Sequence, residues 1–156
     1  MNVSFVSIGK TSEEYLKKGI SVYESRLGNY LTFKSVILPE VKKTSGMSLN
    51  QQKILEGRSF LKILNDTDTV ILLDETGKTY SSVEFSNLLQ KQFLSGNKKL
   101  VFISGGPYGF SDEMYSRSNE LLSLSKMTFS HQMVRLIFVE QFYRAMTILK
   151  NEQYHH

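Results

Sequence analysis

VFISGGPYG, Val101 to Gly109, is the stretch on which the reading of the fold turns. With Leu100 ahead of it, the apolar run Val101, Phe102, Ile103 stops at Ser104 and gives way to two glycines and a proline. An unbroken apolar run of this length reads as a strand covered on both faces. Where such a strand breaks into a glycine turn at its carboxyl end, open α/β sheets bind ligands. Downstream, a helix pattern opens at Ser111 or Asp112 and carries Met114, Leu121 and Leu122. KMTF, ending at Phe129, reads as a short fifth strand, and Ser130 caps a last helix running to about Lys150.

Strands and helices alternate upstream as well. Val3 to Gly9, Leu31 to Leu38 (stopped by Pro39) and Thr69 to Leu73 are rich in β-branched and aromatic residues and read as strands. Ser48 with Gln51 and Ser81 with Glu84 have the spacing of a capping box, as does Thr11 with Glu14. Leu16, Ile20, Tyr23 and Leu27 recur at helical spacing before Gly28, and DETGK after Leu73 reads as a turn. Strand followed by helix, five times over with short links, predicts a three-layer α/β domain with a mostly parallel sheet, one domain over residues 1–156. The pattern leaves strand order open.

The last helix is unusually apolar. MVRLIFV, Met133 to Val139, has Arg135 as its one polar residue, and Leu136 and Val139 lie off the main stripe of Met133, Val134, Ile137 and Phe138. Either the core face is wide, or the helix is covered by a second copy of the chain; the second reading, a homodimer, is preferred. Arg135 and Arg144 read as solvated or interface arginines.

Composition narrows the function classes. A net charge of +4 suits an anionic partner such as RNA without requiring one. The absence of cysteine removes disulfide and thiolate-metal chemistry and fits a reducing cytoplasm. The start, MNVSFVSIGK, lacks a signal-peptide core, and no apolar run approaches the ~20 residues of a membrane span. GGPYG is neither GxGxxG nor a P-loop, which disfavours a nicotinamide-dependent oxidoreductase. Three histidines, His131, His155 and His156, show no metal-ligand spacing, so no metal is expected. His131 opens the last helix, where the helix dipole disfavours a charged imidazole. Leu73 closes the third strand and Gly105 the fourth, and in a parallel sheet both fall on the same, ligand-binding edge.

Taken together, VILLDETGK, FISGGPYG, LSLSKMTFSHQMVRLIFVEQFYRA and the closing YH resemble the RlmH family of ribosomal RNA methyltransferases, of the SPOUT class, over the whole chain. The resemblance implies S-adenosyl-L-methionine as cofactor, a homodimer, and a C-terminal trefoil knot, which general rules of chain topology would argue against. It also implies methylation at N3 of a pseudouridine in large-subunit (23S) ribosomal RNA within the assembled ribosome. By matching motif, Leu73, Gly105, Leu124, Ser125, Lys126, Met127, Thr128 and Phe129 fall in the cofactor pocket. His131, Arg144, Tyr154 and His155 fall near the methyl group and the RNA, with one subunit's tail reaching toward its partner's cofactor. Two departures stand out: Tyr108 occupies a position that is acidic in some members, and His156 replaces a common Lys or Arg. The competing reading is a non-catalytic RNA- or ribosome-binding module that retains a nucleotide pocket.

Overall fold

A computed structural model describes residues 1–155; His156, and with it the departure read at that position, lies outside the described residues. The elements are β1 (Asn2–Ile8), α1 (Glu14–Leu27), β2 (Thr32–Leu38), α2 (Leu49–Leu61), β3 (Thr69–Thr79), α3 (Ser82–Leu94), β4 (Lys99–Ser104), α4 (Asp112–Arg117), β5 (Glu120–Ser123) and α5 (Met133–Leu149). All strand pairs are parallel, in the order β2-β1-β4-β3-β5. The stretch that ends in the glycine turn is therefore the central strand.

Alternation along β4 builds the two cores, because successive side chains leave a strand on opposite faces. Leu100 and Phe102 join Val3, Phe5 and Ile71 under α1, α3 and α5, where Phe102 lies 4.8 Å from Phe138 and 5.8 Å from Phe142. Val101 and Ile103 point the other way, against Phe60 of α2 and Met114 of α4. These are the three layers expected.

Two of the three capping boxes form. Ser48 and Ser81 each accept from the backbone N–H three residues on, at 3.1 Å, and Gln51 and Glu84 reach back to the cap. The box expected at Thr11 does not form: α1 starts after Glu13 with no side-chain cap. Thr11 is buried, and its hydroxyl instead accepts from Arg135 at 3.0 Å.

Two boundaries differ from the sequence reading. KMTF is a loop, and the fifth strand lies earlier, at Glu120–Ser123, so α4 is one short helix that ends before Leu121. Asn119 sets that register: its backbone N–H donates to Val70 O at 2.8 Å, and its side-chain oxygen accepts from Val70 N–H at 2.7 Å. Nor does DETGK end β3. Leu73 and Lys78 both pair with Leu122, so residues 74–77 make an excursion from the ladder and the strand resumes to Thr79.

α5 lies between α1 and α3, which accounts for part of its apolar breadth. Val139, expected off the buried stripe, is fully buried, and Leu136 packs so closely on α1 that a Cβ on Gly19 would lie 2.9 Å from it. Met133, Val134 and Ile137 stay half-buried.

Arg135 is neither solvated nor at an open surface. It is 3% exposed and donates to Ile8 O and Gly9 O, both at 2.7 Å, besides Thr11; its Nε has no partner. No carboxylate pairs with it among the described residues, and burial lowers its pKa. It ties α5 to the end of β1 through a fork that lysine cannot reproduce. Arg135→Lys is expected to cost roughly 1–3 kcal/mol in urea unfolding, because the carbonyls lose charge-assisted bonds. An unchanged midpoint would contradict this role.

Candidate active site

The carboxyl ends of β4 and β5, with the excursion that interrupts β3 after Leu73, enclose a cavity of ≈ 560 Å³. That lies within the usual small-molecule range of about 300–1,000 Å³. Three loops wall it, at residues 73–76, 104–110 and 122–131 without Lys126, with Tyr115 and Val134 completing it.

The glycine turn closes through Gly109 N–H to Gly106 O at 3.3 Å, with Gly109 at φ +83°. Its other glycines are needed for close packing. A Cβ on Gly105 would meet the Phe110 ring at 3.1 Å, and one on Gly106 would meet the Glu56 carboxylate at 2.9 Å. Serine hydroxyls fold the third loop: Ser123 donates to Ser125 O at 2.9 Å, and Ser125 Oγ accepts from Met127 N–H at 2.9 Å. Ser130 Oγ accepts from Met133 N–H at 3.2 Å at the start of α5.

Of the cofactor residues carried over by motif, Leu73, Gly105, Leu124, Ser125, Met127, Thr128 and Phe129 line this cavity, while Lys126 is exposed and does not. Met127 lines it only from outside the core, at 77% exposed. His131 stands exposed at the rim.

Arg144, Tyr154 and His155 gather elsewhere. α5 ends through Asn151 at φ +56°, and Glu152 N–H donates back to Thr147 O at 2.9 Å, which turns the tail onto the helix. Tyr154 donates to Glu140 at 3.0 Å, shares a hydrogen bond with the Tyr23 hydroxyl at 3.2 Å, and meets the Tyr143 ring edge-on at 4.9 Å. Arg144 lies over the Tyr154 ring at 4.7 Å, 3.3 Å from His155 Nδ1, with an ion pair to Glu140 at 2.7 Å. That pairing raises the Arg144 pKa; burial, then the bonds to Tyr23 and Glu140, pushes the Tyr154 phenol up. Both stay in their ordinary protonation states at neutral pH. Arg144 follows cavity-lining Val134 by ten positions on α5, about 15 Å along the axis. Arg144, Tyr154 and His155 are thus not among the residues that line their own chain's cavity.

Motif reading missed Asp74, Glu75 and Tyr115, all on the cavity wall. DETGK held the signal for the two carboxylates, but a turn reading gives them no direction. Among the described residues there is no cluster that could hold a metal, and no helix is long and apolar enough to cross a membrane.

Comparison with known proteins supplies the family. A family model described as "Predicted SPOUT methyltransferase" matches residues 1–155. The chain is similar to "Ribosomal RNA large subunit methyltransferase H" of Christiangramia forsetii, with 53% identity over 100% of this chain and 99% of the relative. It is likewise similar to the proteins of that name from Flavobacterium psychrophilum, at 53%, and Parabacteroides distasonis, at 49%, over the same shares of both chains. With a model match over nearly its full length and relatives near half identity from end to end, this chain belongs to the SPOUT methyltransferase family.

Proposed function

We propose that this protein is an S-adenosyl-L-methionine-dependent methyltransferase of large-subunit ribosomal RNA, acting at N3 of a pseudouridine in the assembled ribosome. It works in the cytoplasm as a homodimer of one SPOUT domain per chain, over 1–156, with the C-terminal trefoil knot of its class. The observation that carries the reading is the cavity between the β3 excursion and the ends of β4 and β5, walled by the segments that match the family's cofactor pocket. Its glycine turn and serine-folded loop offer backbone groups to a nucleoside, and its size suits one.

When bound, the donor supplies a methyl group on a positively charged sulfur. Leu73 and Leu124 give the apolar wall, and Gly105 with Ser125, Thr128 and Phe129 orients the donor. Alignment of this kind is worth up to ~7–11 kcal/mol in the best model reactions. The proton on N3 must leave before or during transfer. His131 at the rim or His155 accepts it, or Arg144 holds the deprotonated base. Tyr154 offers a face on which an unpaired base can stack.

Because Arg144, Tyr154 and His155 lie along α5 from their own cavity, they serve the cavity of the second subunit. The half-buried Met133, Val134 and Ile137 belong to the interface. Lys10, Lys42 and Lys43 are exposed after β1 and β2, on the same sheet edge as the cavity, and take phosphate contacts. Lys17 and Arg26 are less free for that role: Lys17 pairs with Glu14 at 3.0 Å, and Arg26 lies 5.5 Å from the Tyr23 and Tyr143 rings.

Incubating ribosomes that lack the modification with methyl-labelled donor and this protein is expected to place label on large-subunit RNA. Ribosome binding without transfer would favour the non-catalytic module instead.

A further inference from the structure

The protein as a whole is basic, with 19 Lys and Arg against 15 Asp and Glu, but the cavity wall is not. Among the described residues that line it, Asp74 and Glu75 carry charge, His131 is the one other titratable side chain apart from two tyrosines, and no Lys or Arg takes part. A basic protein with an acidic ligand cavity separates two binding problems, an anionic macromolecule outside and a cation within.

Asp74 is the better placed carboxylate. It is half-buried, it follows Leu73 directly, and both its oxygens are held. Oδ1 accepts from Thr76 N–H at 2.8 Å, and Oδ2 accepts from the Tyr115 hydroxyl at 2.6 Å. Burial would push the Asp74 carboxyl up, but the bonds from Thr76 and Tyr115 outweigh it and hold the carboxyl below its usual value. Tyr115 is pushed up to about 12 by burial and by Asp74, so it remains a neutral donor. The Tyr115 ring meets Phe110 edge-on at 6.0 Å, and Phe110 backs Gly105. The carboxylate is thereby fixed to the glycine turn as well as to its own loop.

Resting on the methyl-donor reading above, we propose that Asp74, braced by Tyr115 and Thr76, is the counter-charge for the cationic end of the donor. S-adenosylmethionine carries two cations, a sulfonium and an ammonium, against one carboxylate. S-adenosylhomocysteine, left after transfer, keeps the ammonium and has a neutral sulfur. A fixed carboxylate facing the sulfonium holds donor over product and so favours exchange after each turnover. One facing the ammonium holds both alike. Glu75 is exposed and its hydrogen bond from the Thr128 hydroxyl is long, at 3.4 Å, so Asp74 is the better held of the two.

Titration calorimetry on the full chain, with S-adenosylmethionine and S-adenosylhomocysteine as probes, tests this. Asp74→Asn keeps the size and an acceptor oxygen, and is expected to weaken S-adenosylmethionine binding at least about tenfold. S-adenosylhomocysteine binding that is unchanged in this variant assigns the sulfonium; an equal loss for both assigns the ammonium. Tyr115→Phe keeps the charge but frees it, with an expected loss of about threefold. Thermal melting without ligand checks that each variant folds. Should Asp74→Asn fold and bind S-adenosylmethionine as wild type does, the proposal is overturned. A wild-type chain with no affinity for either probe would instead remove the methyl-donor reading and this inference with it.

Discussion

Truncation after Gln153 is expected to reduce methyl transfer to ribosomes by at least about 100-fold while leaving donor affinity within about twofold. The first number follows from the usual contribution of a positioned acid or base, roughly 10²–10⁴-fold. The second follows from geometry, since neither Tyr154 nor His155 lines the cavity of its own chain. Removing Tyr154 also deletes its bonds to Glu140 and Tyr23 and its contact with Tyr143, so a small loss of stability accompanies the change. Melting curves separate that loss from the loss of turnover. The decisive experiment mixes truncated chains with Gly105→Val chains. In the second variant the added side chain collides with Phe110 and the donor site is lost. If tails serve the partner's cavity, the mixed dimer joins an intact cavity on the truncated chain to an intact tail on the other, and part of the activity returns. A mixed dimer as inactive as either parent would place tail and cavity in the same chain. Turnover by the truncated chain near the wild-type rate would remove the tail from the mechanism.

Local chemistry was legible where it suffices to form an element. Leu100 to Ile103 read as a doubly buried strand and is one, at the centre of the sheet; Ser48 and Ser81 read as caps and are caps. Long-range partners decided the remainder. β5 is only four residues long, and its register comes from Asn119 meeting Val70, 49 positions away, which no window on the sequence contains. KMTF has strand-like residues but no neighbour to pair with, and Ser125 folds it into a turn instead. Thr11 has a cap's spacing, but its hydroxyl is taken by Arg135 from 124 positions away. The site divides in the same manner. The edge shared by Leu73 and Gly105 follows from parallel strands, whereas the Asp74–Tyr115 bond spans 41 positions and emerges only when β3 and α4 are brought together.

Gly77→Ala is expected to be the most damaging single-methyl change in the chain, costing about 3 kcal/mol or more. Small-to-large changes in well-packed sites usually cost about 1–3 kcal/mol, and the upper end applies where nothing can yield. Here the obstacle is backbone: a Cβ would sit 2.5 Å from Leu121 C, 2.6 Å from Leu122 N and 2.7 Å from Leu121 O. A side chain in the way could rotate aside, but these atoms belong to β5, whose pairing with β3 resumes one residue later at Lys78–Leu122. To make room, β5 must separate from β3 or the excursion at 74–77 must refold. Either movement disturbs Leu73, Asp74 and Leu122 together, and all three line the cavity. Donor affinity is therefore expected to fall with stability. For a chain of this size roughly 2–4 °C of melting temperature corresponds to each kcal/mol, so the variant should melt some 10 °C early. Gly28→Ala is the control: its φ of −56° is open to any residue and its Cβ would approach Ser25 O at 3.3 Å and Glu24 O at 3.9 Å, so the change should stay within about 1 kcal/mol. Equal melting temperatures for the two variants would mean that β3 and β5 yield to one another far more readily than their contact distances allow.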